Sequence, residues 1–315
     1  MSEPEQSQER INELASYAQK FNKAINSKPI QEEEITFILN NTTNSDRQII
    51  RQCYKKLFNH PIQDDMKKLS SKFKDLCLAM FDTQYEYDSR ELHRGLHSFI
   101  NDDNVICEIM ASRPKWMLDI IDKVYNKFYK ISLREDIKKE TRDIYQKYLL
   151  ALMDNEREEG QTISIEQATD IAKMLKEKGP KNWGKDVDLY TSIFVKKSRE
   201  DLILIARVYN ELFKIDFYDA INKNVSGTCR KLMKAILWSN ITPAEYFAKK
   251  AFRAVEGLGT DTNTLNRAII PRAEIDMDAI RDYYYMDRKV DIKDDVVDDT
   301  SGAYGKTLAA LTQKS

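Results

Sequence analysis

The residues best suited to chemistry are the loop Val255-Glu-Gly-Leu-Gly-Thr-Asp261 and the acidic segment Asp298-Asp-Thr-Ser-Gly302, with Asp299 standing 40 positions after Gly259. Glycine at 257 and 259 opens backbone conformations closed to other residues, so several carbonyl oxygens can converge on one point. A hard cation takes that arrangement. Calcium binds about six to eight oxygens, and a remote carboxylate supplies two of them if the fold brings it close. The competing reading of the same glycines is a turn that ends a helix. The choice depends on which elements hold residues 257–259 and Asp299.

Those elements are expected to be helices. Only 9 Gly and 7 Pro stand among 315 residues, too few for a sheet-and-turn protein. Hydrophobic residues at 42% and charged residues at 32% supply a core and a heavily charged surface. With 50 basic and 51 acidic residues the net charge is -1, so no global basic field argues for nucleic acid. Cys53, Cys77, Cys107 and Cys229 lie far apart in no C-x-x-C pattern and read as reduced core thiols. No window approaches the roughly 20 apolar residues of a membrane span, so membrane contact is expected to be peripheral. Residues 1–9 read as a polar tail without a secretion signal, which points to the cytoplasm.

Self-comparison supplies the architecture. Four segments recur in which an apolar-periodic helix ends in Tyr followed by a second aromatic: Tyr54 with Phe58, Tyr125 with Tyr129, Tyr209 with Phe213, and Tyr284, where Arg288 breaks the pattern. After each comes an apolar pair four apart: Ile62 and Met66, Leu133 and Ile137, Phe217 and Ile221, Ile292 and Val296. Residues at i and i+4 share one helix face, so each pair marks the buried stripe of a short helix. A common register divides the chain into 10–82, 83–157, 158–240 and 241–315, with about five helices per unit. In the fourth unit they are expected near 243–255, 262–271, 274–287, 290–297 and 301–312. Helices this short cannot bury their stripes alone and must pack on one another.

Gly257-Leu-Gly-Thr-Asp261, Ile269-Ile-Pro-Arg272 with Glu274-Ile-Asp276, and Asp299-Thr-Ser-Gly-Ala-Tyr304 closely resemble the fourth repeat of annexins. The repeat pattern extends the resemblance over the whole chain, and the weakened loops look like a divergent protist annexin such as an alpha-giardin. The resemblance implies an all-α fold, four repeats of five helices in a curved disc, with Ca2+ bridging the protein to acidic, phosphatidylserine-like phospholipid membranes. It implies that the carbonyls of Val255, Gly257 and Gly259 and the carboxylate of Asp299 are the ligands. A peripheral place on the inner face of membranes follows, with cytoskeletal proteins and a second copy of the chain as further partners.

The same register grades the other units. In the third, Gly184 matches Gly259 and Asn224 takes the place of Asp299, a neutral amide that weakens calcium. Trp183, between Lys181 and Lys185, reads either as a lipid-contacting loop tip or as a packed indole. In the second unit Glu140 keeps the carboxylate but Ile100 replaces the glycine; Asp102 and Asp103 read as helix caps or as ligands of an altered site. The first has Ser27-Lys-Pro-Ile30 and Lys67-Lys-Leu-Ser-Ser71 instead, so no calcium is expected there.

A site of neutral carbonyls and one carboxylate binds calcium weakly and leaves positions for a phosphate oxygen, so calcium and membrane are expected to reinforce each other. His93 and His97, four apart on one helix, have the spacing of a two-histidine metal face, although an ordinary helix face is the simpler reading. No nucleotide-loop, nucleophile-elbow or H-E-x-x-H pattern occurs, so no enzyme is expected. The rival to a calcium-dependent adaptor is a cytoskeleton-associated scaffold of the same fold with little calcium dependence.

Overall fold

The structure is a computed structural model and describes residues 8–313 except Ile100, Pro180 and Leu258. The first seven residues of the expected tail, and Ile100 of the second unit's loop, therefore lie outside the described residues. Among the described residues helices alternate with short connections, in four groups of five. The first group is α1 (Gln8–Ile25), α2 (Glu32–Asn40), α3 (Asn44–Phe58), α4 (Ile62–Met66) and α5 (Ser71–Phe81). The second is α6 (Gln84–Leu96), α7 (Asp103–Ser112), α8 (Lys115–Tyr129), α9 (Leu133–Glu140) and α10 (Asp143–Asp154). The third is α11 (Ile165–Lys178), α12 (Val187–Leu189), α13 (Arg199–Phe213), α14 (Phe217–Asn224) and α15 (Gly227–Ile241), where α12 runs on as a π-helical turn over Tyr190–Val195. The fourth is α16 (Pro243–Val255), α17 (Thr262–Ile269), α18 (Met277–Arg288), α19 (Ile292–Asp299) and α20 (Gly302–Leu311).

Local chemistry explains where these helices begin and end. Thr43 with Asp46, Ser132 with Glu135, and Ser164 with Gln167 form reciprocal capping boxes that satisfy the first free N–H groups of α3, α9 and α11. The third helix of every group stops in a left-handed residue, Asn59, Lys130, Lys214 or Lys289, with φ of 61°, 61°, 53° and 60°. Three of the four are lysines, whose charge suits the negative end of the helix dipole. In the fourth group the third helix starts at Met277 rather than near 274, because a 3-10 turn at Ile270–Arg272 carries Pro271. Pro271 has no N–H to continue a regular helix.

The apolar pairs read from the sequence are core. Ile62, Met66, Leu133, Ile137, Phe217, Ile221, Ile292 and Val296 are all buried, as are Tyr54, Tyr125, Tyr209 and Tyr284. All four cysteines are free; Cys77, Cys107 and Cys229 are buried and Cys53 is partly so.

The chain divides into two compact units, one made of residues up to Gln84 with those from Phe247 onward, the other of Tyr85–Tyr246. In the first, α1 packs on α3, α2 lies against α20, and α17 meets α5. Arg47 is buried there and donates to the Met80 carbonyl at 2.7 Å, while Glu274 reaches it at 3.3 Å and accepts from the Asn44 backbone N–H at 2.9 Å. In the second, α7 packs on α15 and α11 on α13. Thr228 donates to Asp103 at 2.8 Å across that contact, and Arg113 pairs with Asp88.

Candidate functional site

The loop after α16 folds back on the end of α19. Asp261 N–H donates to the Ala254 carbonyl at 2.8 Å and closes the loop on its own helix, then its carboxylate caps α17 by accepting from Thr264 N–H at 3.0 Å. Gly257 and Gly259 have φ of 114° and 89°, which only glycine adopts without strain. The Thr260 hydroxyl donates to the Asp299 backbone carbonyl at 2.8 Å, so residues 39 apart meet directly. Burial pushes the Tyr304 phenol upward, and the carboxylates of Asp261 and Asp299 add to the shift.

This arrangement fits a cation. The Asp299 Oδ2 atom is buried and without a hydrogen-bond partner. A buried carboxylate oxygen left in that state costs free energy unless a cation answers it. Among the described residues no hydrogen bond ends on the carbonyl oxygens of Val255, Gly257 or Gly259. Oxygen donors that are neutral, close to a carboxylate and free of other work are what calcium takes.

A sequence model of the family described as Annexin matches residues 16–80, 87–152, 171–236 and 246–311, one segment in each five-helix group. The chain belongs to the annexin family. It is 30% identical over 295 residues to Annexin A13 of Homo sapiens, with 93% of each chain covered. Among solved structures, annexin III superposes with a TM-score of 0.88 at 29% identity, over 99% of this chain and 95% of the other. Calcium-bound annexin (Sm)1 superposes at 0.81 with 26% identity, over 95% and 90%. Calcium-bound alpha-14 giardin superposes at 0.80 with 14% identity, over 95% and 99%, a likeness of fold alone. Annexins are in general calcium-dependent phospholipid-binding proteins and not enzymes.

The other three loops of this annexin depart from the fourth in distinct ways. In the second repeat Asn101 Nδ2 donates to the Glu140 carbonyl at 2.8 Å, the counterpart of the Thr260 contact. Glu140 ends α9 as Asp299 ends α19, half-buried, with Lys139 3.7 Å away. Asp102 caps α7 as Asp261 caps α17, its carboxylate accepting from Val105 N–H and lying 3.7 Å from Arg94. Asp103 accepts from Thr228 instead.

In the third repeat Gly184 sits in a 3-10 turn against Val225, where an added Cβ would meet a Val225 methyl at 2.8 Å. The Asn224 amide folds back to donate to Ala220 at 2.7 Å, turned onto its own helix. Lys181 and Lys185 are exposed. Trp183 between them is not a lipid contact: it is fully buried, and its indole N–H donates to the Leu175 carbonyl at 2.8 Å. It packs edge-on to Tyr209 with centroids 5.9 Å apart. A buried indole needs such an acceptor, and the end of α11 supplies it.

In the first repeat the ammonium of Lys68 bonds Asn26 beside the loop and Asp65 on α4.

Two features were not read from the sequence. Phe99, which holds the register position of Trp183 and Leu258, is fully exposed. The register itself would have pointed to it. A tyrosine hydroxyl also donates to an aspartate 11 residues on in three repeats: Tyr54 to Asp65, Tyr125 to Asp136, and Tyr284 to Asp295 at 2.6 Å. The third repeat has Ala220 there, and Trp183 packs on the tyrosine instead. The recurring Tyr-to-Asp spacing was the available signal.

Proposed function

We propose that this annexin docks on acidic, phosphatidylserine-like membranes through one principal calcium site, formed by the carbonyls of Val255, Gly257 and Gly259 and the carboxylate of Asp299. The unpartnered, buried Asp299 Oδ2 beside a loop of two positive-φ glycines carries this reading. Bound there, calcium would supply the positive charge that holds a lipid phosphate at the protein surface. The protein's own contribution is to hold the loop in place, through Thr260 on Asp299 and Asp261 on α17, so that few backbone degrees of freedom are lost on binding. With a single carboxylate the site is weak alone and strengthened by lipid, and linkage requires lipid to be strengthened equally by calcium. No helix among the described residues is long and apolar enough to cross a membrane, in keeping with peripheral attachment.

The test is co-sedimentation with phosphatidylserine vesicles in calcium and in a chelator. Pelleting in calcium that chelator reverses is the expected result. Pelleting equal in both, or absent from both, would instead favour an annexin-fold scaffold with cytoskeletal partners. That second reading draws on the three altered loops, in which Lys68 ties Asn26 to Asp65, Lys139 lies 3.7 Å from Glu140, and the Asn224 amide is folded onto its own helix.

Phe99 is the aromatic side chain proposed to enter the lipid interface. Burying a phenylalanine yields roughly 1.5–3 kcal/mol, so partial insertion is worth about a tenfold change in affinity. Phe99→Ala should weaken vesicle binding by about that factor. Trp183→Phe should leave binding unchanged, because the indole is interior. A loss in the tryptophan variant with none in the phenylalanine variant would reverse the assignment.

A further inference from the structure

We propose a transition-metal site, of the kind that takes Zn2+, formed by His93, His97 and Asp136 in the second repeat. One ligand atom from each of the three residues lies within 4.8 Å of the other two. His97 Nε2 is 2.7 Å from Asp136 Oδ2, and His93 Nδ1 is 3.9 Å from the same oxygen. A tetrahedral zinc ion about 2.0–2.1 Å from nitrogen and oxygen ligands separates them by roughly 3.3 Å. The two observed separations bracket that value, and rotation of the imidazoles, whose ligand atoms lie within 4.8 Å of each other, would close the set around an ion.

The surroundings of Asp136 argue that a cation belongs there. Its counterparts have one built in: Asp65 takes the Lys68 ammonium at 2.6 Å, and Asp295 has the Arg288 guanidinium at 3.8 Å. Among the described residues Asp136 pairs with no lysine or arginine; the two imidazoles and the Tyr125 hydroxyl face it, and its side chain is 2% exposed. Burial and the neighbouring His97 push His93 down, with Asp136 acting the other way, so the imidazole is neutral. His93 Nδ1 also lies 2.9 Å from the Tyr125 hydroxyl, a contact that a bound metal would replace.

The outer contacts a metal site needs are present as well. The Tyr125 hydroxyl donates to Asp136 and fixes the carboxylate, and His93 stacks on Tyr129 with ring centroids 3.6 Å apart. Both imidazoles are about one-third exposed, at 33% and 34%, which leaves an entry path and room for a water as fourth ligand. Nitrogen donors make the site unattractive to calcium, so it is independent of the Asp299 loop.

Calorimetric titration of Zn2+ into the full chain in excess calcium, at pH 7.5, tests the proposal, with Co2+ as the spectroscopic probe. One equivalent of Zn2+ is expected to bind, and Co2+ should give the intense visible absorption of tetrahedral coordination. His97→Ala and His93→Ala should each weaken Zn2+ at least about tenfold and abolish the cobalt band. Asp299→Ala should change neither. His97 is on the surface, so its variant remains folded, as circular dichroism would verify. Failure to bind one equivalent, or binding unchanged in both histidine variants, would overturn the site and assign any remaining zinc to the cysteines or the calcium loop.

Discussion

Asp299→Ala is expected to abolish calcium-dependent pelleting with phosphatidylserine vesicles at calcium concentrations that saturate the wild type. The carboxylate is the only charged group in the proposed ligand set, and removing one charge from contact with a divalent ion costs on the order of 3 kcal/mol or more. That is roughly a hundredfold or greater rise in the calcium needed. Thermal unfolding offers a second readout with a distinctive sign. Without calcium the variant should be at least as stable as the wild type, because the deleted Oδ2 is buried and bonded to nothing. With calcium at about 100 times its dissociation constant the wild type gains about 2.7 kcal/mol, and the variant should lose most of that gain. A variant that pellets at unchanged calcium, or shows the full calcium-dependent rise in Tm, would place the site elsewhere.

Asp88→Ala should be the most damaging single change to the unit made of Tyr85–Tyr246. Asp88 holds the Arg113 guanidinium through two bonds, at 2.7 and 3.0 Å, and their side chains are 2% and 9% exposed. Burial acts to lower Arg113, and Asp88 overrides it, so the guanidinium ends above its ordinary value. Removing the acid leaves a buried charge without its bidentate partner, a loss of about 3–5 kcal/mol. Urea unfolding followed by circular dichroism should register it as a lower midpoint with an unchanged slope. Replacing both residues by apolar ones of similar volume should recover much of the loss, because the desolvation of both charges is then avoided. A loss below about 1 kcal/mol for Asp88→Ala would mean that other groups already satisfy Arg113.

How far the site could be read in advance differs residue by residue. The meeting of the loop at Gly257 and Gly259 with the end of α19 was legible because the repeat register is a long-range ruler: a common spacing of 40 residues predicts which loop meets which helix end. The short fourth helices were legible because an apolar pair at i and i+4 has one geometric meaning. Trp183 was not, because a tryptophan between two lysines is compatible with a lipid-facing tip and with a buried ring. The acceptor that settles it, the Leu175 carbonyl, is recognisable only after α11 is placed. Asp102 was ambiguous for a related reason, since the same carboxylate serves as helix cap or metal ligand and only the position of Val105 N–H shows the cap.

The amino-acid order alone determined the all-α class, the four recurring groups of five helices and the buried stripe of each short helix, since these follow from periodicities that hold along the chain. Tertiary structure decided which partners each loop and helix-end side chain already has. A ligand set depends on which side chains already have partners, and those partners lie about 40 residues away: Thr260 on Asp299, Asn101 on Glu140, His97 on Asp136 and Lys68 on Asn26. Hydrogen bonds and ion pairs at such separations fall off within a few ångströms, a scale that spacing in sequence does not resolve.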